Sequence, residues 1–333
     1  MILVTGAGGL VGAAIARALL KQGETVRAMR RPTSDLTWAQ RYFEFHGDAA
    51  LWTQLTWVEG DVLDVPSLES AISGCNRVFH AAAMVSFHPN DSAELLEING
   101  AGTANVVNVC LAQQVTKLCY VSSTAALGRS KAGEAIDESR TWENSELNTP
   151  YAVSKYAAEC EVWRGIEEGL NAVMVNPSIV LGPGRPDRSS ATLLSRVASG
   201  FKFYPTGSNG FVPLEDVARA CVHLEASDIS AKRYLLCANN WTYQQLFDTM
   251  AQALGVPAPH RPAQGWMLNT ARVLQWLLEK VGGPRAALTR IALRNASNRV
   301  DYDGSAITET GFAYSNVPEA IQEAARFYRA HHG

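Results

Sequence analysis

A tyrosine and a lysine four residues apart are the side chains best placed to do chemistry in this sequence. Tyr151 and Lys155 would lie on one face of a predicted helix. A phenol with a pKa of about 10 transfers protons poorly near neutral pH unless its anion is stabilised. An ammonium group within about 4 Å could supply up to about 4 kcal/mol at an effective dielectric constant near 20, which would lower the tyrosine pKa by about two to three. The pair predicts proton transfer by Tyr151 with electrostatic support from Lys155.

A hydroxyl-rich segment, Ser122-Ser123-Thr124, follows the predicted strand Lys117–Val121. In open parallel sheets, ligands bind at the carboxyl ends of the strands. We therefore expect Ser123 to orient and polarise a substrate oxygen beside the tyrosine, with Thr124 as the alternative. Together these side chains favour proton transfer coupled to hydride transfer.

A glycine-rich segment follows the predicted first strand, Ile2–Thr5, and opens a helix. Gly6 permits a tight turn, Gly9 lets backbone N–H groups approach a pyrophosphate, and Gly12 lets the helix pack closely on the sheet. The helix N-terminus favours an anion. The spacing is GxxGxxG, because Val11 stands where GxGxxG would need glycine. The segment predicts a dinucleotide site that includes Gly6, Gly9 and Leu10.

Two arginines, Arg30 and Arg31, follow the second predicted strand, Val26–Met29. An NAD-selective site usually has Asp or Glu here, which binds the ribose 2′-hydroxyl. A guanidinium donates instead to a 2′-phosphate through a fork of N–H groups. The arginines predict NADP as the cofactor, with NAD as the alternative and two solvated surface side chains as the structural alternative.

Strands and helices alternate along the first half of the chain, which predicts an α/β fold with a doubly wound parallel sheet of the Rossmann type. The remaining predicted strands are 56–59, 78–80 and 172–175. The predicted helices are 11–22, 92–114 and 151–168. The texture changes after Pro177, where glycine and proline become frequent. We expect a dinucleotide-binding domain over 1–176 plus about 211–238, and a smaller C-terminal α+β substrate domain over about 177–210 plus 239–333.

Two further segments carry aromatic or amphipathic patterns. Residues 35–56 form a long link whose aromatic spacing predicts a helical excursion packed on the domain, with a partner-binding patch as the alternative. Residues 265–282 predict an amphipathic helix that packs in the core or at a dimer face, with a membrane-surface helix as the alternative.

The composition of the 333-residue chain excludes several classes of function. Its formal net charge of −3 gives no basic field that would attract nucleic acid. The six cysteines form no CxxC pair, which is typical of reduced thiols in a cytoplasmic protein. The histidines and cysteines lack metal-ligand spacing, so we expect no metal. No uncharged run reaches the roughly 20 residues of a membrane helix.

Taken together, these motifs resemble the extended short-chain dehydrogenase/reductase superfamily over nearly the whole chain, most strongly over residues 1–220. The resemblance rests on the glycine segment, Tyr151 with Lys155, and a series of shorter motifs. These are Gly60-Asp61-Val62, His80-Ala81-Ala82-Ala83, Asn99 with Gly102-Thr103, Val121-Ser122-Ser123 and Pro177-Ser178.

The resemblance implies a role for each matching position. Asp61 and Val62 would hold the adenine, and Ala81, Ala82 and Ala83 would line the path of the cofactor. Asn99 would stabilise the sheet and the proton relay. The catalytic residues would be Ser123, Tyr151 and Lys155. Tyr151 and Lys155 would also bind the cofactor, with Lys155 as the ribose anchor, and Pro177 with Ser178 would touch the nicotinamide.

Within the superfamily the chain is most similar to dihydroflavonol-reductase-like members of the epimerase/dehydratase family. Nucleotide-sugar epimerases typically carry Arg-Tyr-Phe-Asn and Arg-Asp stretches where this chain has Asn176-Pro177-Ser178-Ile179 and Asn209-Gly210. The apolar residues Met84, Val85, Phe87 and Tyr204 suggest a hydrophobic carbonyl substrate.

The resemblance therefore implies an NADP(H)-dependent oxidoreductase of the carbonyl reductase/alcohol dehydrogenase type that acts on a ketone or aldehyde. The alternative is an NAD(P)-dependent sugar or nucleotide-sugar epimerase/dehydratase. A third interpretation is a non-enzymatic nucleotide-sensing module, against which the intact Tyr151/Lys155 pair speaks. The expected partners are a small-molecule carbonyl or alcohol and, through the predicted helices 92–114 and 151–168, a second copy of the chain.

Overall fold

The computed structural model describes residues 1–128, 134–188, 190–263 and 297–332. Strands and helices alternate through its first part, as the sequence predicts. In chain order they are β1 (Ile2–Thr5), α1 (Leu10–Lys21), β2 (Val26–Arg30), α2 (Thr37–Phe45), α3 (Ala49–Trp52), β3 (Thr56–Glu59), α4 (Val65–Ile72), β4 (Arg77–His80), α5 (Ser92–Leu95), α6 (Gly102–Ala112), β5 (Lys117–Val121), α7 (Pro150–Glu167) and β6 (Ala172–Pro177).

The second part mixes short strands with helices. Its elements are β7 (Ile179–Leu181), α8 (Ala191–Ala198), β8 (Phe203–Tyr204), β9 (Ser208–Pro213), α9 (Leu214–Ala226), β10 (Lys232–Leu236), β11 (Asn239–Thr242), α10 (Tyr243–Leu254), β12 (Arg261–Pro262) and α11 (Val317–His332). Short 3₁₀ turns occupy Pro89–Asp91, Thr124–Leu127 and Ala306–Thr310, and a π-helical turn occupies Leu96–Ala101.

Seven strands form one parallel sheet in the order β10-β6-β5-β4-β1-β2-β3. Strand β1 lies between β2 and β4, so the chain runs outward in opposite directions from this point. In a doubly wound sheet, such a reversal leaves a crevice at the carboxyl ends of the two strands. The predicted α/β fold of the Rossmann type is confirmed.

Both faces of this sheet are covered by helices, which is why most of its strands are apolar in the middle and carry their charged residues mainly at the ends. Helices α1, α2 and α9 cover one face, and α4, α6 and α7 cover the other. Each face has its own buried core, represented by Ile15, Phe43 and Val217 on the first side and by Leu68, Val106 and Val162 on the second.

A smaller three-stranded sheet, in the order β11-β9-β7, lies beside the main sheet. It has its own apolar cluster with helices α8, α10 and α11, built around Leu194, Phe211, Leu246 and Ile321. Strands β8 and β12 form a separate parallel pair. The domain boundaries given above remain a prediction.

The link between β2 and β3 is a helical excursion, as predicted. Helices α2 and α3 lie within it, and Tyr42 and Phe43 are fully buried against the main core. The predicted helix 92–114 is interrupted by the π-helical turn. The predicted helix 265–282 lies outside the described residues. None of the described helices is both long and apolar enough to cross a membrane.

Candidate active site

The glycine-rich segment forms a tight loop between β1 and α1. Gly6 has φ +66°, and the Gly9 N–H donates to its carbonyl oxygen over 2.8 Å. A Cβ on Gly6 would lie 2.7 Å from Ala82 Cα, and one on Gly12 only 2.2 Å from Gly6 O. Helix α1 begins after Gly9 without a side-chain cap. Its first N–H groups are therefore free to bind a pyrophosphate, so the loop fits a dinucleotide.

The two arginines lie at the carboxyl end of β2, as predicted. Arg30 and Glu59 are paired in the sheet register, and Arg30 Nη2 donates to Glu59 Oε1 over 3.1 Å. Arg31 is exposed, and its backbone N–H donates to Ser34 Oγ over 3.0 Å. Glu59 was not predicted as a site residue. It is the last residue of β3, the strand that pairs with β2.

The loop after β3 presents Asp61 and Val62 next to α6. The Asp61 N–H donates to Ser67 Oγ over 3.0 Å, and the Asp61 carboxylate accepts from the Leu63 N–H. Val62 is buried, and Asn105 Nδ2 donates to its carbonyl oxygen over 2.9 Å. These contacts fix the segment where the adenine would lie.

Strand β4 ends at His80, and the alanines 81–83 follow it toward the glycine loop. The imidazole is buried between two threonines, with Nδ1 2.8 Å from Thr5 Oγ1 and Nε2 3.1 Å from Thr103 Oγ1. Burial lowers the His80 pKa to about 3, and the charge of Lys155 adds to this effect. The ring is therefore neutral at physiological pH.

Asn99 sits within the π-helical turn that interrupts the predicted helix, and such turns are frequent at functional sites. Its Oδ1 accepts from the Met84 N–H over 2.8 Å, and its Nδ2 donates to Met84 O and to Ser154 Oγ. Ser154 Oγ in turn donates to Tyr151 O over 2.9 Å. Asn99 thus ties the loop after β4 to the first turn of α7.

Tyr151 lies in the first turn of α7, which starts with Pro150 and is capped by Thr149. Thr149 Oγ1 accepts from the Ala152 N–H over 3.1 Å. Ser123 follows β5, and its hydroxyl lies beside the Tyr151 phenol. Burial raises the Tyr151 pKa, and the Ser123 hydroxyl opposes this rise. The prediction that the Tyr151 pKa is lowered is therefore wrong for this structure, because desolvation outweighs the stabilising contacts.

An aromatic ring borders the phenol on the side of the loop after β4. Phe87 packs edge-on against Tyr151, with ring centroids 5.8 Å apart at 70°. Phe87 and Val85 are exposed by 38% and 48%. This apolar rim lies beside the side chain that would transfer the proton.

Lys155 is almost completely buried one helical turn after the tyrosine. Its Nζ donates to Tyr120 Oη over 2.6 Å and to Val121 O over 2.9 Å. Desolvation lowers the Lys155 pKa to about 7, while the carboxylate of Glu159 opposes this decrease. Tyr120 was not predicted as a site residue, although it lies on β5 just before the hydroxyl-rich segment.

A buried carboxylate, Glu159, was also missed. Its Oε1 accepts from Ser122 Oγ over 2.5 Å and from Asn176 Nδ2, and its Oε2 accepts from Arg233 Nη1 over 3.1 Å. Asn176 Nδ2 also donates to Ser123 O over 3.0 Å. Glu159 therefore holds the segment that carries the candidate catalytic serine. Its position four residues after the lysine, on the same helix face, is the signal that could have found it.

Pro177 and Ser178 end β6 at the same edge of the sheet. Ser178 is buried, and its backbone N–H donates to Leu236 O over 2.9 Å. The structure thus brings the glycine loop, the alanines, Ser123, Tyr151 and Ser178 to the carboxyl edge of β1, β4, β5 and β6. Arg30 and Arg31 lie further along this edge, at β2.

A glycine loop at the sheet reversal, with a serine, tyrosine and lysine at the neighbouring strand ends, defines the class of dinucleotide-dependent oxidoreductases. The NAD dependent epimerase/dehydratase family matches residues 2–236. The chain belongs to this family, and the protein is an NAD(P)-dependent oxidoreductase of the extended short-chain dehydrogenase/reductase type.

Three relatives extend the comparison. A putative dihydroflavonol 4-reductase of Synechocystis is 29% identical over 98% of this chain and 94% of its own length. Sterol demethylase protein B of Methylococcus capsulatus is 30% identical over 98% of each chain. Cinnamoyl-CoA reductase 1 of Petunia hybrida is 30% identical over 72% of this chain and 73% of its own. Among solved structures, the chain in the crystal structure of gox2253 shares 30% sequence identity with this chain. The TM-score is 0.82, and the match covers 100% of this chain and 98% of that chain.

Proposed function

We propose that the protein is an NADP(H)-dependent reductase of a hydrophobic ketone or aldehyde, which acts reversibly as an alcohol dehydrogenase. The observation that carries this proposal is the position of Ser123 beside the Tyr151 phenol at the carboxyl edge of the sheet, where the serine hydroxyl opposes the rise in the Tyr151 pKa. Both hydroxyl groups can reach one substrate oxygen there, and Lys155 lies one helical turn below them.

The residues around this edge fit a nicotinamide dinucleotide. The N–H groups that open α1 would bind the pyrophosphate, Asp61 and Val62 the adenine, and Pro177 with Ser178 the nicotinamide. The alanines 81–83 would line the path between them. When bound, the cofactor supplies or accepts the hydride.

The chain itself supplies the proton chemistry. In reduction, Tyr151 donates its phenolic proton to the carbonyl oxygen, and Ser123 donates a hydrogen bond to the same oxygen. In the reverse direction, the phenolate accepts the proton of the alcohol. The raised pKa of Tyr151 favours its protonated form, which is the form that reduction needs.

The choice of NADP depends on Arg30 and Arg31. Arg31 is exposed and free of side-chain ion pairs among the described residues, so its guanidinium can donate to a 2′-phosphate. Arg30 shares its charge with Glu59. The two arginines and Glu59 together still carry a net positive charge where the adenosine ribose would lie, which favours the phosphorylated cofactor NADP.

The substrate class depends on the exposed Phe87 ring beside Tyr151 and on the exposed Val85 two residues before it in the chain. An exposed ring held edge-on to the candidate catalytic phenol suits an apolar or aromatic carbonyl compound. Two of the relatives are named as reductases, one of dihydroflavonol and one of cinnamoyl-CoA. We also propose that the smaller sheet and its helices complete the substrate pocket.

The test is NADPH oxidation by the purified protein against a panel of aromatic and aliphatic ketones and aldehydes, with nucleotide-sugar binding measured in parallel. We expect net NADPH consumption with at least one apolar carbonyl. Tightly retained NAD, nucleotide-sugar binding and no net NADPH consumption would instead support an epimerase or dehydratase. Cofactor binding without any turnover would support a sensing module.

A further inference from the structure

Four buried polar side chains connect the glycine-rich loop to Lys155. They form a chain of side chains through the core, made of Thr5, His80, Thr103 and Tyr120. Each is exposed by no more than 1%. They come from β1, β4, α6 and β5, and apolar side chains would pack these positions more simply. Buried polar groups of this kind are costly unless every one is hydrogen-bonded.

The contacts are continuous. Lys155 Nζ donates to Tyr120 Oη over 2.6 Å, and the Thr103 hydroxyl lies near enough to the Tyr120 phenol to lower its pKa. Thr103 Oγ1 lies 3.1 Å from His80 Nε2, and Thr5 Oγ1 lies 2.8 Å from His80 Nδ1. The Tyr120 ring also lies beneath the ammonium, whose Nζ is 4.4 Å from the ring centroid. The phenol therefore contacts Lys155 through both its oxygen and its ring.

An ammonium only donates, so Tyr120 Oη accepts the hydrogen bond from Lys155. The neutral His80 imidazole donates on one ring nitrogen and accepts on the other, so it bonds one threonine in each way. Thr5 Oγ1 also accepts the Ala82 N–H over 3.2 Å.

In the part of the chain that the structure describes, three titratable groups act on Lys155 or are acted on by it. They are Glu159 on its own helix, Tyr120 on β5 and the neutral His80 on β4. Glu159 provides the negative charge, but its oxygens are occupied by three other donors. Tyr120 Oη and Val121 O are the acceptors that the ammonium contacts directly. A buried ammonium without such acceptors would lose its proton.

We propose that Tyr120 is a positioning residue for Lys155, held in place by Thr103 and His80, and that it keeps the ammonium charged and directed toward the carboxyl edge of the sheet. This inference rests on the proposed function, because the charge of Lys155 acts through Tyr151. These side chains also link the lysine indirectly to the loop that would bind the pyrophosphate, since Thr5 and Ala82 border that loop.

The test is Tyr120→Phe, which keeps the ring and removes only the oxygen. Loss of one acceptor should lower the Lys155 pKa by about one, and the less charged lysine should raise the apparent pKa of Tyr151 by a similar amount. We expect kcat for alcohol oxidation at pH 7 to fall about tenfold, with KM for the alcohol within about twofold. Thr103→Val breaks the next link and should give a smaller shift of the same sign.

Two measurements separate positioning from a general structural defect. The pH profile of kcat reports the Tyr151 pKa, and the ¹³Cε resonance of Lys155, identified with Lys155→Met, reports the lysine pKa without any substrate. Tyr234→Phe is the matched control, because it removes a phenol from another strand of the same sheet. It should leave both pKa values and kcat unchanged.

The inference is overturned if folded Tyr120→Phe keeps the wild-type lysine pKa, or if kcat falls equally at every pH. If Tyr120→Phe does not fold, an unshifted lysine pKa in Thr103→Val overturns it, and a decrease supports it. If the wild-type protein turns over no carbonyl or alcohol, the proposed function fails, while the lysine resonance still decides whether Tyr120 holds the ammonium charged.

Discussion

The carboxylate of Glu159 and the guanidinium of Arg233 form an ion pair inside the protein, with Nη1 3.1 Å from Oε2. Their side chains are exposed by only 2% and 18%, and the pair joins α7 to the edge strand β10. Because the other oxygen of Glu159 accepts from Ser122, this ion pair also holds the segment that carries the candidate catalytic serine. A contact that stabilises the fold is therefore part of the site.

Glu159→Gln should destabilise the protein, because it leaves the partly buried Arg233 charge without its carboxylate partner. We expect the free energy of unfolding to fall by about 3 kcal/mol, measured by urea denaturation. The Lys155 pKa should fall as well, since Glu159 raises it. Glu161→Gln is the control, because Glu161 pairs with Arg164 on the surface and should change stability by less than about 1 kcal/mol. Equal effects of the two substitutions would contradict the role of the buried pair.

The cofactor preference can be changed at Arg31 and at Glu59, the ion-pair partner of Arg30. Arg31→Ala should weaken NADPH binding about tenfold and leave NADH binding within about twofold, because only NADPH carries the 2′-phosphate. Glu59→Gln should strengthen NADPH binding by a few-fold, because it frees Arg30 and removes a negative charge. The dissociation constants are measured by quenching of protein fluorescence. Equal or tighter binding of NADH by the wild-type protein would refute the proposed preference.

Tyr151→Phe should lower kcat by about 10²- to 10⁴-fold, because it removes the proposed proton donor. Cofactor affinity should stay within about twofold of the wild type. Tyr156→Phe is a matched control on the same helix, since Tyr156 stacks on Trp142 with centroids 4.5 Å apart instead of facing Ser123. Steady-state kinetics with NADPH test both variants. Retained turnover in Tyr151→Phe would remove the tyrosine from the mechanism.

Stability should depend on pH through His80. Its pKa is about 3 in the folded protein against about 6.5 for an ordinary histidine, so between these values the unfolded chain binds the extra proton. Stability from this group is present above about pH 6.5 and is lost as the pH falls toward 3, by up to about 1.4 kcal/mol per pH unit. Urea denaturation from pH 4.5 to 7 should show a flatter slope for His80→Asn. His260→Gln, at an exposed position, should keep the wild-type slope, and a wild-type slope in His80→Asn would contradict this account.

Much of the fold could be predicted because its signals are local. Short β-branched runs predicted six of the seven strands of the main sheet, all except β10, and the glycine spacing predicted the loop before α1. The sequence did not show that the helix predicted over 92–114 contains a π-helical turn around Asn99. That turn depends on contacts of Asn99 with Met84 and Ser154, which come from two other parts of the chain.

The sequence by itself determined which side chains reach the carboxyl edge of the sheet, because the period of a strand and the turn of a helix place Ser123, Tyr151 and Lys155 without reference to the rest of the chain. Only the tertiary structure decided what surrounds them. The packing of α6 and α7 on β4 and β5 places His80 and Tyr120 beside Lys155. Burial raises the pKa of Tyr151, which the spacing alone predicted to fall. Desolvation depends on everything packed around a group, so neighbours in the sequence cannot reveal its size or the sign of the net pKa shift.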